Sequence, residues 1–396
     1  MKEGWKQSKL GDLCEIGIGR TPSRSDSSLW DKRKETNNYW VSIADLGDAK
    51  NGIIVETKEY ISDKAKDGIS IIPKGTILLS FKLTLGKTSI AGVDLYTNEA
   101  IANLPLKDDS ITKEFLLYYF QYFNWEKYAA GDEKVMGKTL NKKELDVLPV
   151  LYPSLSEQQR IVGILDAVFE KIDALKANAE KNLENAKALF QQVLAKELEP
   201  KEGWEEKKLG EVCDTSAGGT PLKTSKEYYE GGNIPWIRSG EVCKKHITES
   251  EMFITEAGLS NSSAKLFPPH TVLVAMYGAT AGQVGILDFE SSTNQAVCGI
   301  MPNDQYLPDY LYYYLLSYKD RLVATAVGNA QPNISQQKIK AIPLPLINIK
   351  TQQEIINTIE RLDAKCRHLE EVAQKTIAEC DALKQSILRQ AFIGEL

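Results

Sequence analysis

One unit of sequence occurs twice in this 396-residue chain, about 195 residues apart, and that duplication limits the possible folds more than any other feature. Lys2-Glu3-Gly4-Trp5 through Lys9-Leu10-Gly11-Asp12-Leu13-Cys14 returns as Lys201-Glu202-Gly203-Trp204 through Lys208-Leu209-Gly210-Glu211-Val212-Cys213. Thr21-Pro22 returns as Thr220-Pro221, Thr97-Asn98-Glu99-Ala100-Ile101 as Thr293-Asn294-Gln295-Ala296-Val297, Leu148-Pro149 as Ile342-Pro343, and Glu157-Gln158-Gln159-Arg160-Ile161 as Thr351-Gln352-Gln353-Glu354-Ile355. The matches follow one order through both halves, so the chain is two copies of one architecture. They fall on apolar runs and turns, whereas Ser23 to Tyr39 and Leu222 to Ile234 share little. A retained frame with divergent surface stretches is the pattern of two binding modules with different targets.

Each copy opens with short apolar runs separated by Gly, Asn and Asp turns, among them Ile69-Ser70-Ile71-Ile72, Thr76 to Phe81 and Val272 to Tyr277, which read as strands. Glu114 to Phe120 and Asp309 to Leu315 begin with an acid and continue apolar, so each reads as a helix. Their tyrosines read as packing. Residues 1–155 and 200–349 are therefore expected to be two modules of mixed α/β character.

From Ser156 the apolar period changes to 3.5. Ile161, Val168, Leu175, Asn182 and Leu189 occupy one heptad position; Leu165, Ile172, Ala179, Ala186 and Val193 occupy the other. Ser154 or Ser156 after Pro153 supplies a start signal, and Pro200 a stop. The second copy gives Ile355, Leu362, Leu369, Thr376 and Leu383, then Ile359, Cys366, Ala373, Cys380 and Ile387. Two long helices, 156–199 and 350–396, are expected to pair through Leu165, Val168, Ile172, Leu175, Leu362 and Leu369. Because each closes a repeat, a pseudo-twofold arrangement would run them antiparallel. The fold class is then α+β, with two modules separated by two long antiparallel coiled-coil helices.

Composition narrows the chemistry. Net charge is −6, and neither half is basic overall, so any contact with nucleic acid must come from local clusters, uncharged groups or partner subunits. No apolar run is long enough to span a bilayer, and Met1 to Trp5 leads into polar sequence without a signal peptide; a cytoplasmic location is the expectation. The six cysteines form no CxxC pair and the three histidines are scattered, which argues against a zinc site. Phe267-Pro268-Pro269-His270 lacks the Asn or Asp that a methyltransferase motif needs before its prolines. Gly86-Lys87-Thr88 resembles the end of a phosphate-binding loop, but the position five before Gly86 is Phe81. Asp48 with Glu56-Thr57-Lys58 faintly suggests a nuclease carboxylate set without a counterpart in the other half. No catalytic residues, bound cofactor or metal site are assigned, and the chain is not expected to be an enzyme.

The order module, long helix, module, long helix is similar to that of the specificity subunits of Type I restriction-modification systems. The residues that carry the resemblance are Gly203-Trp204 with Lys208 to Val212, Gly219-Thr220-Pro221, Pro235-Trp236-Ile237, Gly278-Ala279-Thr280-Ala281-Gly282, Thr293 to Ala296, Gln331-Pro332-Asn333-Ile334-Ser335, Ile342 to Pro345 and the closing Ile387 to Leu396. The first half departs from it, with Leu83-Thr84-Leu85-Gly86-Lys87 in place of the glycine-rich turn and Lys138-Thr139-Leu140-Asn141 in place of the Gln-Pro-Asn-Ile-Ser segment. The resemblance implies that each module is a target recognition domain reading one half of a split, asymmetric site in double-stranded DNA. It implies that the helices space the modules and dock two modification subunits, with restriction subunits joining. S-adenosylmethionine and ATP with Mg would then be bound by those partners. The specificity part of a fused restriction-methylation enzyme, or a tandem scaffold that binds something other than DNA, are the other readings.

Side-chain chemistry selects the candidate DNA contacts. In the first module they are Arg20, Arg24, Lys82, Thr84, Lys87 and Lys138, with Lys32-Arg33-Lys34, Lys134 and Lys142 as further basic positions; in the second they are Lys223, Arg238, Tyr277, Thr280, Gln283, Asn329 and Gln331, with Lys244. Arginine bonds guanine bidentately, Asn and Gln bond adenine, and lysine more often serves phosphate.

Overall fold

The computed structural model describes residues 4–48, 52–128, 138–325 and 333–396. By packing, the chain divides into two compact units, Met1–Ala179 with Lys375–Leu396, and Glu180–Gln374. The divisions fall inside the two long helices, so each unit holds one module, the helix half that leaves it and the facing half of the other long helix.

Both modules are built on a five-stranded sheet of the same topology. In the first unit Gly17–Ile18, Ile101–Leu104, Ile77–Ser80, Thr88–Ala91 and Ile53–Ile54 lie side by side in that order, antiparallel except for the last pair. In the second the order is Thr215–Ala217, Val297–Ile300, Val272–Ala275, Val284–Leu287 and His246–Ile247, again with only the last pair parallel. The central strands Ile77–Ser80 and Val272–Ala275 are buried on both faces, which is why they read as unbroken apolar runs. Ile69 to Ile72 is not a strand: Ile71 is exposed, only Ile72 bridges to Leu95, and Pro73 ends any pairing. A smaller sheet places Tyr39–Val41 between Glu59–Tyr60 and Tyr96–Thr97, and Ile234–Ile237 between Phe253–Ile254 and Ser291–Thr293.

The first strand of each module pairs with its last. Lys9 lies opposite Pro149 in one and Lys208 opposite Pro343 in the other, and the Leu10 and Leu209 N–H groups donate to the Leu148 and Ile342 carbonyls at 2.8 Å. This closure explains why the Lys-Leu-Gly and Leu/Ile-Pro segments recur. The helices Lys113–Tyr122 and Pro308–Ala324 pack on the sheets, with Tyr119, Tyr310, Tyr313 and Tyr314 buried.

A wholly buried glutamine fixes each module to the long helix that follows it. Gln158 accepts from the Thr112 N–H at 2.8 Å and donates to the Ser110 and Pro153 carbonyls at 3.0 Å each. Gln352 repeats the pattern, accepting from Leu307 N–H at 2.8 Å and donating to the Gln305 and Ile347 carbonyls at 2.7 and 3.0 Å. A second tie differs between the copies. In the first, the Tyr118 hydroxyl donates to Asp166 at 2.6 Å; in the second, the Lys245 ammonium bridges Asp309 and Glu360 at 2.6 and 2.7 Å. Burial works against the Lys245 charge, but those two hydrogen bonds outweigh it and raise its pKa.

The long helices span Leu155–Glu197 and Ile349–Ile393. Within the first unit they run antiparallel: Lys176 pairs with Asp381 at 2.6 Å, Lys384 with Asp173, and Arg160 donates to the Leu396 carbonyl at 2.8 Å. Ile161, Leu165, Phe169 and Ile172 share a core there with Cys380, Leu388, Ala391 and Phe392, while in the second unit Leu194 and Leu198 share one with Ile355, Ile356 and Ile359.

Leu165 and Ile172 are buried as expected, and Val168 and Leu362 are half-buried. Leu175 and Leu369 are not in the seam: they are 53% and 50% exposed, and Leu189 and Leu383 share their fate. Ile161, Leu165 and Phe169 follow one another at spacings of four, which carries the buried stripe one residue ahead of a strict heptad. Lys176, Leu183 and Phe190 then take the inner positions, as Glu370, Ile377 and Lys384 do in the second helix.

Gln158→Leu would leave three backbone groups, one buried and two partly buried, without this partner, so urea unfolding should show a loss of about 3 kcal/mol or more. Leu175→Ala, on the open face, should stay within about 0.5 kcal/mol of the parent. A near-zero loss for Gln158→Leu would show that the joint is not held by this side chain.

Candidate nucleic-acid interface

Three loops meet at one end of each central sheet. The first is the hairpin that follows the central strand. Ser80 N–H donates to the Lys87 carbonyl at 2.8 Å, and Gly86 N–H to Ser80 at 2.9 Å; Ala275 and Gln283, then Gly282 and Ala275, repeat these bonds at 2.9 and 2.8 Å. Gly86 and Gly282 turn the chain with φ of 82° and 80°. The hairpin of the first copy is one residue shorter than the glycine-rich turn, yet it is closed by the same pair of bonds. Leu83 adopts φ 65° where Gly278 has 72°, so an exposed leucine sits in a left-handed conformation that costs it about 1–2 kcal/mol.

The second loop lies against the first. Lys138–Thr139 pairs with Lys82–Leu83, Tyr277 bridges to Asn333, and the Leu140 and Ile334 N–H groups donate to the Phe81 and Met276 carbonyls at 2.9 and 2.8 Å. The Lys138 to Asn141 segment therefore does stand where Asn333 to Ser335 stands in the second module.

The third contact joins the Thr-Pro loop to the Thr-Asn-Glu/Gln-Ala loop. Arg20 N–H donates to the Thr97 carbonyl at 2.8 Å and Gly219 N–H to Thr293 at 2.9 Å, while the indole N–H of Trp40 holds the Arg20 carbonyl at 3.3 Å and that of Trp236 the Gly219 carbonyl at 3.0 Å. Asn98 and Asn294 each cap their own turn, accepting from Ala100 and Ala296 N–H at 3.0 and 3.1 Å. On this frame the Thr21 hydroxyl donates to Glu99 and the Thr220 hydroxyl to Gln295. Both acceptor residues are exposed. Burial pushes the Glu99 carboxyl up, but the Thr21 hydrogen bond and the Lys82 and Arg24 charges hold it below its ordinary range. At one and the same place the first module thus presents a carboxylate and the second an amide. Sequence reasoning had aligned these two residues without assigning them a role; their signal was the change from Glu to Gln between an unchanged Thr-Asn and an unchanged Ala.

The candidate side chains divide by environment. Thr84 and Tyr277 are exposed on the hairpins; Lys82, Lys87, Thr280 and Gln283 are half-buried there, with the Lys82 ammonium 5.2 Å from the Phe81 ring centroid. Arg20 is exposed and donates to the Gly68 carbonyl at 3.2 Å, and Lys223 is exposed beside the Thr-Pro loop. The two arginines with the strongest base-reading chemistry are already engaged. Arg24 forks onto Glu59, one arm at 2.9 Å, with its guanidinium 3.8 Å from the Trp30 ring centroid. Arg238 spans Glu241 at 3.2 Å and Glu251. Asn329, Gln331, Lys134 and the side chain of Lys138 lie outside the described residues.

Of the described residues considered for a nuclease, Glu56 and Lys58 are exposed and only Thr57 is buried, and a neighbouring carboxylate, Asp45, is built into the fold. Asp45 accepts from the Ser42 hydroxyl at 2.6 Å and from the Lys58 N–H at 2.9 Å; the Asp48 side chain lies outside the described residues. Burial pushes the Cys298 thiol up to about 12, which keeps it protonated and unreactive at neutral pH. Among the described residues no three His, Cys, Asp or Glu side chains are grouped to hold a metal ion, and none of the helices is long and apolar enough to cross a membrane.

The family model described as the Type I restriction modification DNA specificity domain matches residues 2–185 and again 201–379. The chain belongs to this family of Type I restriction-modification specificity subunits. It is 26% identical over 428 residues to the Type I restriction enzyme MjaIX specificity subunit of Methanocaldococcus jannaschii, covering 99% of this chain and 93% of that protein. The EcoR124I/EcoR124II specificity subunit of Escherichia coli is 28% identical over 267 residues, 65% of each chain. Among solved structures, a chain of a type I R-M system studied for complex assembly and conformational transition superposes with a TM-score of 0.81 at 20% identity, over 100% of this chain and 99% of that one. The HsdS subunit of Thermoanaerobacter tengcongensis superposes at 0.57, also at 20% identity, over 100% and 98%.

Replacing Leu83 with glycine should remove the left-handed strain and raise the unfolding free energy of the chain by about 1 kcal/mol, read from thermal or urea unfolding. A loss of stability instead would mean that the Leu83 side chain contributes packing that outweighs its backbone cost.

Proposed function

We propose that this chain reads a two-part DNA sequence, one half with each module, and carries out no reaction itself. The observation that supports it is the set of converging loops repeated with different side chains: Glu99 against Gln295, Lys82 against Tyr277, and Leu83 against Gly278. Acceptors, donors and apolar groups presented at equivalent places select different base edges in the major groove. The two half-sites should therefore differ, giving an asymmetric site. Methyl transfer and cleavage, with S-adenosylmethionine, ATP and Mg, belong on this reading to two modification subunits and to restriction subunits, in the cytoplasm. Because the chain is acidic overall, those partners also supply much of the phosphate neutralisation.

The test is the methylated motif in genomic DNA from cells holding this chain and its modification subunits. It should be bipartite, with an unspecified gap set by the long helices. One extra heptad in each helix, inserted within the seam to keep its register, adds about 10 Å per helix and should widen the gap by about three base pairs at roughly 3.4 Å each. The bases in each half should stay the same. A continuous motif, or changed bases at constant spacing, would sink the assignment.

The same reading gives the open helix face a role. Leu175, Leu189, Leu369, Val372 and Leu383 are apolar and exposed, and we infer that the modification subunits cover them. Leu175→Asp with Leu369→Asp should then leave the isolated chain folded, with an unchanged melting temperature, but lose the modification subunits in light scattering. Full assembly of this variant would place docking elsewhere.

A further inference from the structure

The stretch Ser23 to Tyr39, which shares little sequence with its counterpart Leu222 to Ile234 in the second module, lines a cup of about 340 Å³. Its basic lining is Arg24, Lys32, Lys34 and Lys58; Trp30 and Tyr60 form walls; Asp31 and Glu59 are its acids. Both acids are occupied. Glu59 takes the fork of Arg24, and Asp31 accepts from the Thr36 and Arg33 N–H groups at 2.7 and 3.1 Å. Among the described residues neither Lys32 nor Lys34 is paired with a carboxylate.

Lys34 is held rather than loose. Its backbone has φ 53°, a conformation that few side-chain-bearing residues adopt outside strained or functional positions, and its ammonium donates to the Thr57 carbonyl at 3.1 Å and lies 5.0 Å from the Tyr60 ring centroid. Two of its three N–H donors remain for a ligand. The cup also adjoins the reading loops: Arg24 lies close enough to Glu99 to lower its pKa, and Trp30 packs edge-on against Trp40, whose indole holds the Thr-Pro loop.

We propose that this cup grips a backbone phosphate of the DNA duplex through Lys32 and Lys34, where the second module has Gly231-Gly232-Asn233. The inference rests on the DNA-reading function. A phosphate is the ligand that fits, because the Arg24 guanidinium already covers the face of Trp30 and an unstacked base has no open ring to lie on. Lysine ammonium groups act as point charges that suit phosphate oxygens and read no base. In a chain with net charge −6, a local surplus of unpaired ammonium groups is what duplex phosphates would find.

The experiment uses the full chain assembled with its modification subunits and measures duplex affinity against salt for the parent, Lys32→Met, Lys34→Met and Lys34→Arg. Each methionine variant should weaken binding to the cognate duplex and to a random duplex by the same factor, roughly threefold or more. Each should also flatten the slope of log Kd against log salt by about 0.9. Lys34→Arg should keep the slope, and the methylated motif should not change. An altered first half-site would make the lysines base readers and overturn the proposal, as would unchanged affinity and slope. So would loss of a thermal shift with inorganic phosphate while duplex binding stays intact, which would make the cup a small-anion site. If the parent assembly shows no preference for any duplex, the DNA-reading function falls together with the grip.

Discussion

A buried amide at the start of each long helix is the constraint on which the placement of everything else depends. Gln158 and Gln352 each satisfy three backbone groups that would otherwise be orphaned between a module helix, the closing strand and the long helix. Apolar packing alone would let a module slide or roll on its helix at little cost, because dispersion has no direction. Three hydrogen bonds of fixed geometry, shielded from water, do not permit that. Their recurrence in both copies indicates that the angle at which a module leaves its helix is what the duplication preserved. The second tie, Tyr118 with Asp166 in one copy and Lys245 with Asp309 and Glu360 in the other, shows that its chemistry was free to change as long as the connection persisted.

The architecture was legible in the sequence because it depends on signals that survive duplication. The paired helices, the sheet strands Thr76 to Phe81 and Val272 to Tyr277, and the equivalence of Lys138 to Asn141 with Asn333 to Ser335 follow from apolar period and order. The seam was read one residue out of place at Leu175 and Leu369. Two successive spacings of four, Ile161 to Leu165 to Phe169, turn the helix ahead of a strict heptad, and residues outside the assumed seam, such as Leu183 and Phe190, are the ones turned inward. Ile69 to Ile72 looked like a strand, but nothing in a short apolar run reveals whether a neighbour is there to pair with it.

The interface was legible only in part. Loop positions could be aligned, yet the sequence does not reveal which charges are already neutralised. Arg24 and Arg238 are the residues that base-reading rules would choose first, and both are ion-paired by carboxylates distant in sequence or concealed in an adjacent turn. Glu99 and Gln295 are acidic or neutral, so a search for basic residues passes over them; only the threonine hydroxyl that orients each one reveals them as part of the surface. Leu83 shows the same limit for the backbone, since a left-handed leucine cannot be inferred from residue type.

The pairing of each module's opening strand with its closing strand has a consequence for inheritance. The chain enters and leaves a module through two adjacent strands, Lys6–Lys9 with Pro149–Tyr152 and Glu206–Lys208 with Pro343–Pro345. Everything between them is a closed excursion, and the segments flanking it share the Lys-Glu-Gly-Trp and Gln-Gln positions in both copies. A crossover between two genes within those flanking stretches would exchange a whole reading surface while leaving the seam and the Gln158 and Gln352 side chains in place to bond the backbone of the incoming module. Such a chain can acquire a new target in a single recombination event, without passing through intermediates that fail to fold.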